Sequence, residues 1–269
     1  MATTLKDIMA ILDGLAPFSL AEEWDNAGIQ VGSPFQRINK ILIALDPTLE
    51  AVKYASTIEA QLLLTHHPLI FEPLSLVDPE SYPGSVINEA LMKKISIVSI
   101  HTNLDAAKGG INDILADLIG LHGVEVLQKK DGFMNDETGI GRIGNLSETK
   151  RLSEISATVK ESFRASEIMI MGLEERMIRR VAVVGGAGGG MATVASKRGA
   201  DLLITGDIRH HEALLAETLG LALIDGGHFQ TEKAALNVFA EYLEGRIIDQ
   251  GMKLVIENFT DEKKPLKIG

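Results

Sequence analysis

The sequence predicts an α/β protein built as two similar lobes, and three observations carry that prediction. Short apolar runs such as Leu62-Leu63-Leu64 stop abruptly on polar residues, as strands buried on both faces of a parallel sheet do. These runs alternate with stretches of helical periodicity, which gives βαβ units with right-handed crossovers. The alternation then repeats. Ala60-Gln61-Leu62-Leu63-Leu64-Thr65 aligns with Ala200-Asp201-Leu202-Leu203-Ile204-Thr205, and the 19 residues from Asp46 to Thr65 nearly equal the 20 from Gly185 to Thr205. The reading is an internal duplication, with a first lobe over residues 1–130 and a second over residues 131–269.

In chain order, Leu5, Ile8, Met9, Leu12 and Leu15 hold helical spacing behind Thr4, a suitable N-cap. The turn-rich Trp24-Asp25-Asn26-Ala27-Gly28 leads into a strand ending near Val31, and is read as a packed turn, since a lone Trp is more often core than substrate platform. Ile41 to Leu45 is a buried strand ending at Asp46-Pro47, Leu49 to about Glu59 a helix, and Leu62 to Leu64 the next strand. Pro68 cannot extend its ladder. Ala90-Leu91-Met92 runs into the strand Ile97-Val98-Ser99-Ile100. The Gly-, Asp- and Lys-rich stretch from Gly123 to Gly144 joins the lobes, and Gly139 to Gly144 opens the second with a strand. There Leu152-Ser153-Glu154-Ile155 echoes Leu5-Lys6-Asp7-Ile8. Val181 to Val184, Leu202 to Ile204 and Leu221 to Ile224 are strands, with helices at Met191–Lys197 and around Ala213-Leu214-Leu215. Leu254-Val255-Ile256 is a tail strand outside either repeat, and Phe259 to Gly269 a charged tail.

Composition narrows the function classes. At 269 residues and 45% hydrophobic, the chain has length for two modest domains. It has no cysteine, which removes disulfides, thiolate metal sites and cysteine nucleophiles. No apolar run approaches membrane-spanning length and the N-terminus lacks a signal-peptide layout, so the expectation is a cytoplasmic protein without a membrane partner. A formal charge of −11 and few aromatics argue against nucleic acid as a partner.

The chemistry lies in the histidines. Six of the seven follow a predicted strand: His66-His67, His101, His210-His211 and His228; only His122 does not. Asp105 and Glu232 accompany them, and His228 and Glu232 share a helix face if that segment is helical. Imidazoles and carboxylates gathered at one sheet edge suit zinc, iron, manganese or cobalt. Adjacent side chains in extended backbone point apart, so His66 and His67 are expected to serve two ions, one each. His101, His210 and His211 are read as proton-transfer groups. For Asp207 with His210-His211 a bland reading stands equally, in which Asp207 caps a helix. Gly185 to Gly190 departs from the dinucleotide fingerprint, with Met191 at the third glycine position, and from the P-loop, so no cofactor-binding motif is assigned.

Five segments together resemble the Nif-three-like family, whose members are labelled GTP cyclohydrolase 1 type 2 homologues. They are Trp24-Asp25-Asn26-Ala27-Gly28, Thr65-His66-His67-Pro68, His101-Thr102-Asn103-Leu104-Asp105, Gly206-Asp207-Ile208-Arg209-His210-His211-Glu212 and Asp225-Gly226-Gly227-His228-Phe229-Gln230-Thr231-Glu232. The resemblance implies two α/β lobes, two divalent ions per chain in the cleft between them, and a hexameric ring. The family's ligand positions fall on His66, His67, Asp105, His228 and Glu232. It also implies a hydrolase opening the guanine imidazole ring of GTP, or acting on a related small molecule, with metal-activated water. The alternative is a non-enzymatic metal carrier, chaperone or regulatory scaffold. The domain inserted in longer members has no room between Gly123 and Gly144.

Overall fold

The structure, a computed structural model, describes residues 2–129 and 137–265. Helix α1 (Leu5–Leu15) starts where Asp7 accepts from both the amide and the hydroxyl of Thr4, at 2.8 and 2.7 Å, and it buries Leu5, Ile8 and Leu12. Strands β1 (Gly28–Val31) and β2 (Lys40–Ala44) follow, then α2 (Leu49–Thr57), whose Thr48 cap accepts from the Ala51 amide at 3.1 Å. Next come β3 (Leu62–Thr65), α3 (Gly84–Lys93), β4 (Ser96–Ser99) and the short α4 (Thr102–Ala106). Helix α5 (Ile111–Ile119) ends on Gly120 in the left-handed region. After it come β5 (His122–Lys129), β6 (Gly139–Arg151), α6 (Leu152–Ser162), β7 (Met169–Met171) and β8 (Met177–Ala187). The chain closes with α7 (Ala192–Lys197), β9 (Leu202–Gly206), α8 (His210–Thr218), β10 (Ala222–Asp225), α9 (His228–Asp249) and β11 (Val255–Asn258).

The chain forms two compact units, one of Met1–Leu104 with Phe239–Gly269 and one of Asp105–Val238. In the first, the sheet order is β1-β4-β3-β2-β11. All neighbours are parallel except β1, which lies antiparallel on β4. Every residue of β3 is buried, and on one face α2 and α3 pack Val52, Ala55, Val86 and Ala90 against Leu42, Leu63 and Ile97. Burying each such Leu or Ile contributes roughly 1.5–3 kcal/mol, which favours this register over any slipped one. With Ile43, Leu64 and Val98 in register, β2, β3 and β4 end at one sheet edge.

The second unit has the order β5-β6-β8-β9-β10-β7. Strands β8, β9 and β10 are parallel, and β7 lies antiparallel on β10 as β1 does on β4. The succession α6-β7-β8-α7-β9-α8-β10 therefore repeats the succession α1-β1-β2-α2-β3-α3-β4, with the same sheet order.

Several elements differ from the sequence reading. The tail strand, within the 131–269 range but outside either repeat, pairs in parallel with β2 of the first sheet. The open edge of β2 accepts it, and Glu257 fixes it through Lys40 at 3.4 Å and the Tyr54 hydroxyl at 2.6 Å. The expected junction holds a strand, β5, antiparallel to β6. Its central boundary falls on residues 130–136, outside the described residues, as do residues 266–269 of the charged tail. Strand β8 runs through Gly185 and Gly186 before the turn begins.

Arg142 is the largest fully buried side chain of the second unit. It meets Asp113 through Nε at 2.5 Å and Nη2 at 2.9 Å, and donates to the carbonyls of Gly139, Gly141 and Ala107. Arg142→Met leaves that carboxylate and those carbonyls without their donor. It should lower stability by about 3 kcal/mol, read as a shift of the urea midpoint. An unshifted midpoint would contradict the assignment.

Candidate metal centre

The chain leaves β3 at Thr65, and the next two residues are held by their backbone. The amides of His66 and His67 donate to the carbonyls of Ala44 and Leu45, at 3.3 and 3.0 Å. The hydroxyls of Ser99 and Thr65 donate to the His66 and His67 carbonyls, each at 2.8 Å. His66 is fully buried. Its Nδ1 lies 2.8 Å from the Ile100 carbonyl, which only accepts, so Nδ1 carries the proton and Nε2 the lone pair. His67 Nδ1 lies 2.7 Å from Asp46 Oδ1, and His101 Nδ1 2.9 Å from Asp25 Oδ1. Asp46, His66, His67 and His101 all follow the ends of neighbouring parallel strands.

The three rings converge. His66 lies 5.3 Å from His67 and 5.2 Å from His101 between centroids, and one ligand nitrogen from each falls within 4.8 Å of the others. The expectation that His66 and His67 point apart is corrected. The chain bends at both residues, so the alternation of an extended strand no longer applies.

The Asp25 side chain is completely buried. Burial by itself would raise its pKa, but hydrogen bonds from the His101 ring, the Thr102 hydroxyl and the Thr102 amide outweigh it and hold it at about 2. Asp25 is therefore an ionised acceptor throughout the neutral range.

In the second unit, His228 opens α9 one turn before Glu232, as the spacing predicted, with Nε2 3.1 Å from Glu232 Oε2. His228 Nδ1 lies 2.7 Å from Asp207 Oδ2. Asp207 does not cap α8, because Arg209 is the N-cap and Glu212 accepts its amide at 2.8 Å. Its φ of +50° is a left-handed conformation that Asp tolerates better than most residues. Glu232 is buried at 4% exposure. Glycines make room for this pair. A Cβ on Gly186, at φ +62°, would stand 2.3 Å from Glu232 Oε1, and one on Gly206 would stand 2.4 Å from the His228 amide nitrogen. The glycine run thus admits Glu232 and backs His228.

Of the other residues singled out from sequence, Asp105 is half-buried in α4, outside the three-histidine group, and its carbonyl accepts from Asn112 at 2.9 Å. His210 and His211 are exposed in the first turn of α8, and His122 is exposed at the start of β5. Trp24, expected to be packed, is 58% exposed beside Phe71 and His101. The sequence reading gave Asp46 and Asp25 no role. Asp46 was detectable by the same rule that selected the histidines, since it follows β2.

Imidazole nitrogens and carboxylate oxygens gathered after parallel strands define a candidate metalloprotein of α/β class. The chain belongs to the Duf34/NIF3 (NGG1p interacting factor 3) family, whose model matches residues 3–265. It is 34% identical over 267 residues to a Clostridium acetobutylicum protein called "GTP cyclohydrolase 1 type 2 homolog", covering 98% of this chain and 99% of that one. A Helicobacter pylori protein called "GTP cyclohydrolase 1 type 2" is 32% identical over 264 residues, with 98% of each chain covered. The crystal structure of a hypothetical protein from Staphylococcus aureus matches with a TM-score of 0.93 at 28% identity, over 100% of both chains.

Gly186→Ala tests whether this close approach matters. The added methyl displaces a flexible carboxylate rather than backbone, so the fold should persist. Affinity for divalent metal, read by equilibrium dialysis, should fall roughly 10–100-fold, as when a group supporting a ligand is lost. Unchanged affinity would separate Glu232 from metal binding.

Proposed function

We propose that this chain binds two divalent metal ions and is a metal-dependent hydrolase acting on a nucleotide or related small molecule. The proposed ligands are His66, His67, Asp105, His228 and Glu232, with His101 now a further candidate beside its earlier role in proton transfer. One observation carries the reading. All four imidazoles, His66, His67, His101 and His228, place Nδ1 against an oxygen acceptor at 2.7–2.9 Å. A histidine that ligates a metal through one nitrogen donates the other N–H to a carboxylate or carbonyl in the same way. The donor set of neutral imidazoles and carboxylates fits zinc, iron, manganese or cobalt.

When bound, such ions supply Lewis acidity and make water a stronger nucleophile at neutral pH. The chain's own residues do the rest. Ile100, Asp46 and Asp25 fix ring orientation and tautomer at His66, His67 and His101, so that each Nε2 presents a lone pair, while Asp207 and Glu232 hold the His228 ring between them. Asp25, Asp46, Asp207 and Glu232 supply the negative charge that balances bound cations. His210 and His211, exposed at the start of α8, are proposed as proton-transfer groups. The nucleotide assignment takes its support from the names of the relatives.

An internal duplication, with lobes over residues 1–130 and 131–269, is part of the proposal, supported by the repeated element succession. Assembly into a homo-oligomer, a hexameric ring by family resemblance, is proposed too, as is a cytoplasmic setting. Leu74, Leu76 and Val77 offer exposed apolar surface for assembly. Among the described residues no helix is long and apolar enough to cross a membrane.

Protein purified without added metal should contain two divalent ions per chain by elemental analysis, and Glu232→Ala should lose most of that metal while keeping its fold. Metal-loaded protein should turn over at least one member of a nucleotide panel, and Glu232→Ala should not. Tight, transferable metal without turnover would contradict the hydrolase and favour a carrier. Leu74→Asp with Leu76→Asp should reduce the mass seen by light scattering; an unchanged large species, or a monomeric wild type, would contradict this interface.

A further inference from the structure

Trp24 is the chain's single tryptophan, and more than half of it is exposed, as is Phe71 beside it, at 58% and 53%. Their ring centroids are 5.7 Å apart with planes inclined at 44°. Trp24 also meets the His101 ring edge-on at 6.0 Å. Two large apolar faces thus stay open to water next to the imidazole group, where folding by itself favours covering them.

Neither ring sits on a loose loop. Asp25, next in the chain, is locked by His101 Nδ1, the Thr102 amide at 3.1 Å and the Thr102 hydroxyl. Asn26 Nδ2 donates to the Ile70 carbonyl at 2.7 Å, tying the Trp24 turn to the residue before Phe71. Gln30 closes the connection from both ends. Its Nε2 donates to the Asn26 carbonyl at 2.6 Å, and its Oε1 accepts from the Ile70 amide at 3.1 Å. The two rings are consequently prepared for a ligand with little further ordering, which is how a fixed site keeps affinity.

We infer that Trp24 and Phe71 form a stacking surface for a planar purine ring, which Trp24 presents to the imidazole group through His101. An occupant of this surface needs an extended π face for the two aromatic rings. It also needs N–H or amino groups at its far edge, where His101 and the adjoining His66 and His67 lie. A purine nucleoside or nucleotide has both; an aliphatic or purely anionic ligand has only one or neither. The three rings His66, His67 and His101 each place one lone-pair nitrogen within 4.8 Å of the others at that edge, an acceptor for purine N–H and amino groups. This inference deepens the proposed function, because it takes the imidazole group as the reactive centre.

Emission from the single tryptophan reports on the surface directly. Full-length protein, metal-loaded and metal-depleted, would be titrated with guanosine, GTP, adenosine and ribose 5-phosphate. A saturable change in emission is expected with the purine compounds and not with ribose 5-phosphate. Phe71→Ala should weaken purine binding roughly ten- to a hundred-fold at unchanged metal content, and Phe71→Tyr should restore it. Emission unresponsive to every purine would overturn the inference. So would emission that follows protein concentration instead of ligand, which assigns the surface to a second copy of the chain. Purine binding to a protein that holds no metal leaves this inference standing and removes the hydrolase reading. Two bound ions with no purine response do the reverse.

Discussion

The hydrogen bond from each imidazole Nδ1 to a fixed oxygen is the interaction on which the candidate site depends. An imidazole at the end of a strand has two tautomers and a freely turning ring, and neither is settled by position in the chain. At His66 the Ile100 carbonyl decides it, because a carbonyl cannot donate. At His67 and His101 a carboxylate does the same, whereas His228 meets Asp207 through Nδ1 and Glu232 through Nε2. Two of those oxygens are held in turn. Asp25 is buried and held by Thr102, and Ile100 follows β4 with its amide on Thr65 at 2.9 Å. The parallel sheet is therefore more than a scaffold. Its register brings the residues after β2, β3 and β4 to one edge, so that an acceptor from one strand end meets an imidazole from the next.

The second unit reaches its version of the arrangement by making space. Its sheet delivers Asp207 after β9 and His228 after β10, and α9 adds Glu232 one turn later. A carboxylate this deeply buried is approached closely by backbone at Gly186, and Gly206 leaves room for the backbone at His228. The glycine run departs from the phosphate-binding motifs in sequence, and its side of the sheet is filled by Glu232 and, at Gly189, by Glu212. What a Gly-rich turn admits depends on what the neighbouring elements place against it.

Much of this was legible in the sequence because strands buried on both faces are compositional signals. Runs such as Leu62-Leu63-Leu64 cannot be exposed, so their ends, and the histidines after them, were located without a structure. The helical pairing of His228 with Glu232 followed from spacing alone. What was hidden depends on long-range choices. Strand β7 is three residues long and β5 carries mostly exposed residues, so neither stands out locally. The partner of β11 is chosen by the open edge of β2, some two hundred residues earlier. The convergence of His66 and His67 depends on a bend after β3 that a strand pattern does not encode. Trp24 is exposed against its type's usual preference, and departures of this kind concentrate where a chain does chemistry.

The central claim is that His66, His67 and His101 are held as Nδ1–H tautomers so that their Nε2 atoms face a metal, with His228 oriented by Asp207. Heteronuclear NMR of the imidazole nitrogens, on metal-depleted and zinc-loaded protein, tests it most directly. The account predicts Nδ1 protonated at His66, His67 and His101 in both samples, with the Nε2 resonances of His66, His67 and His228 shifting on zinc addition and those of His122 unmoved. Protons on Nε2 of His66, His67 or His228 in the zinc-loaded protein, or Nε2 shifts confined to His122, would contradict it.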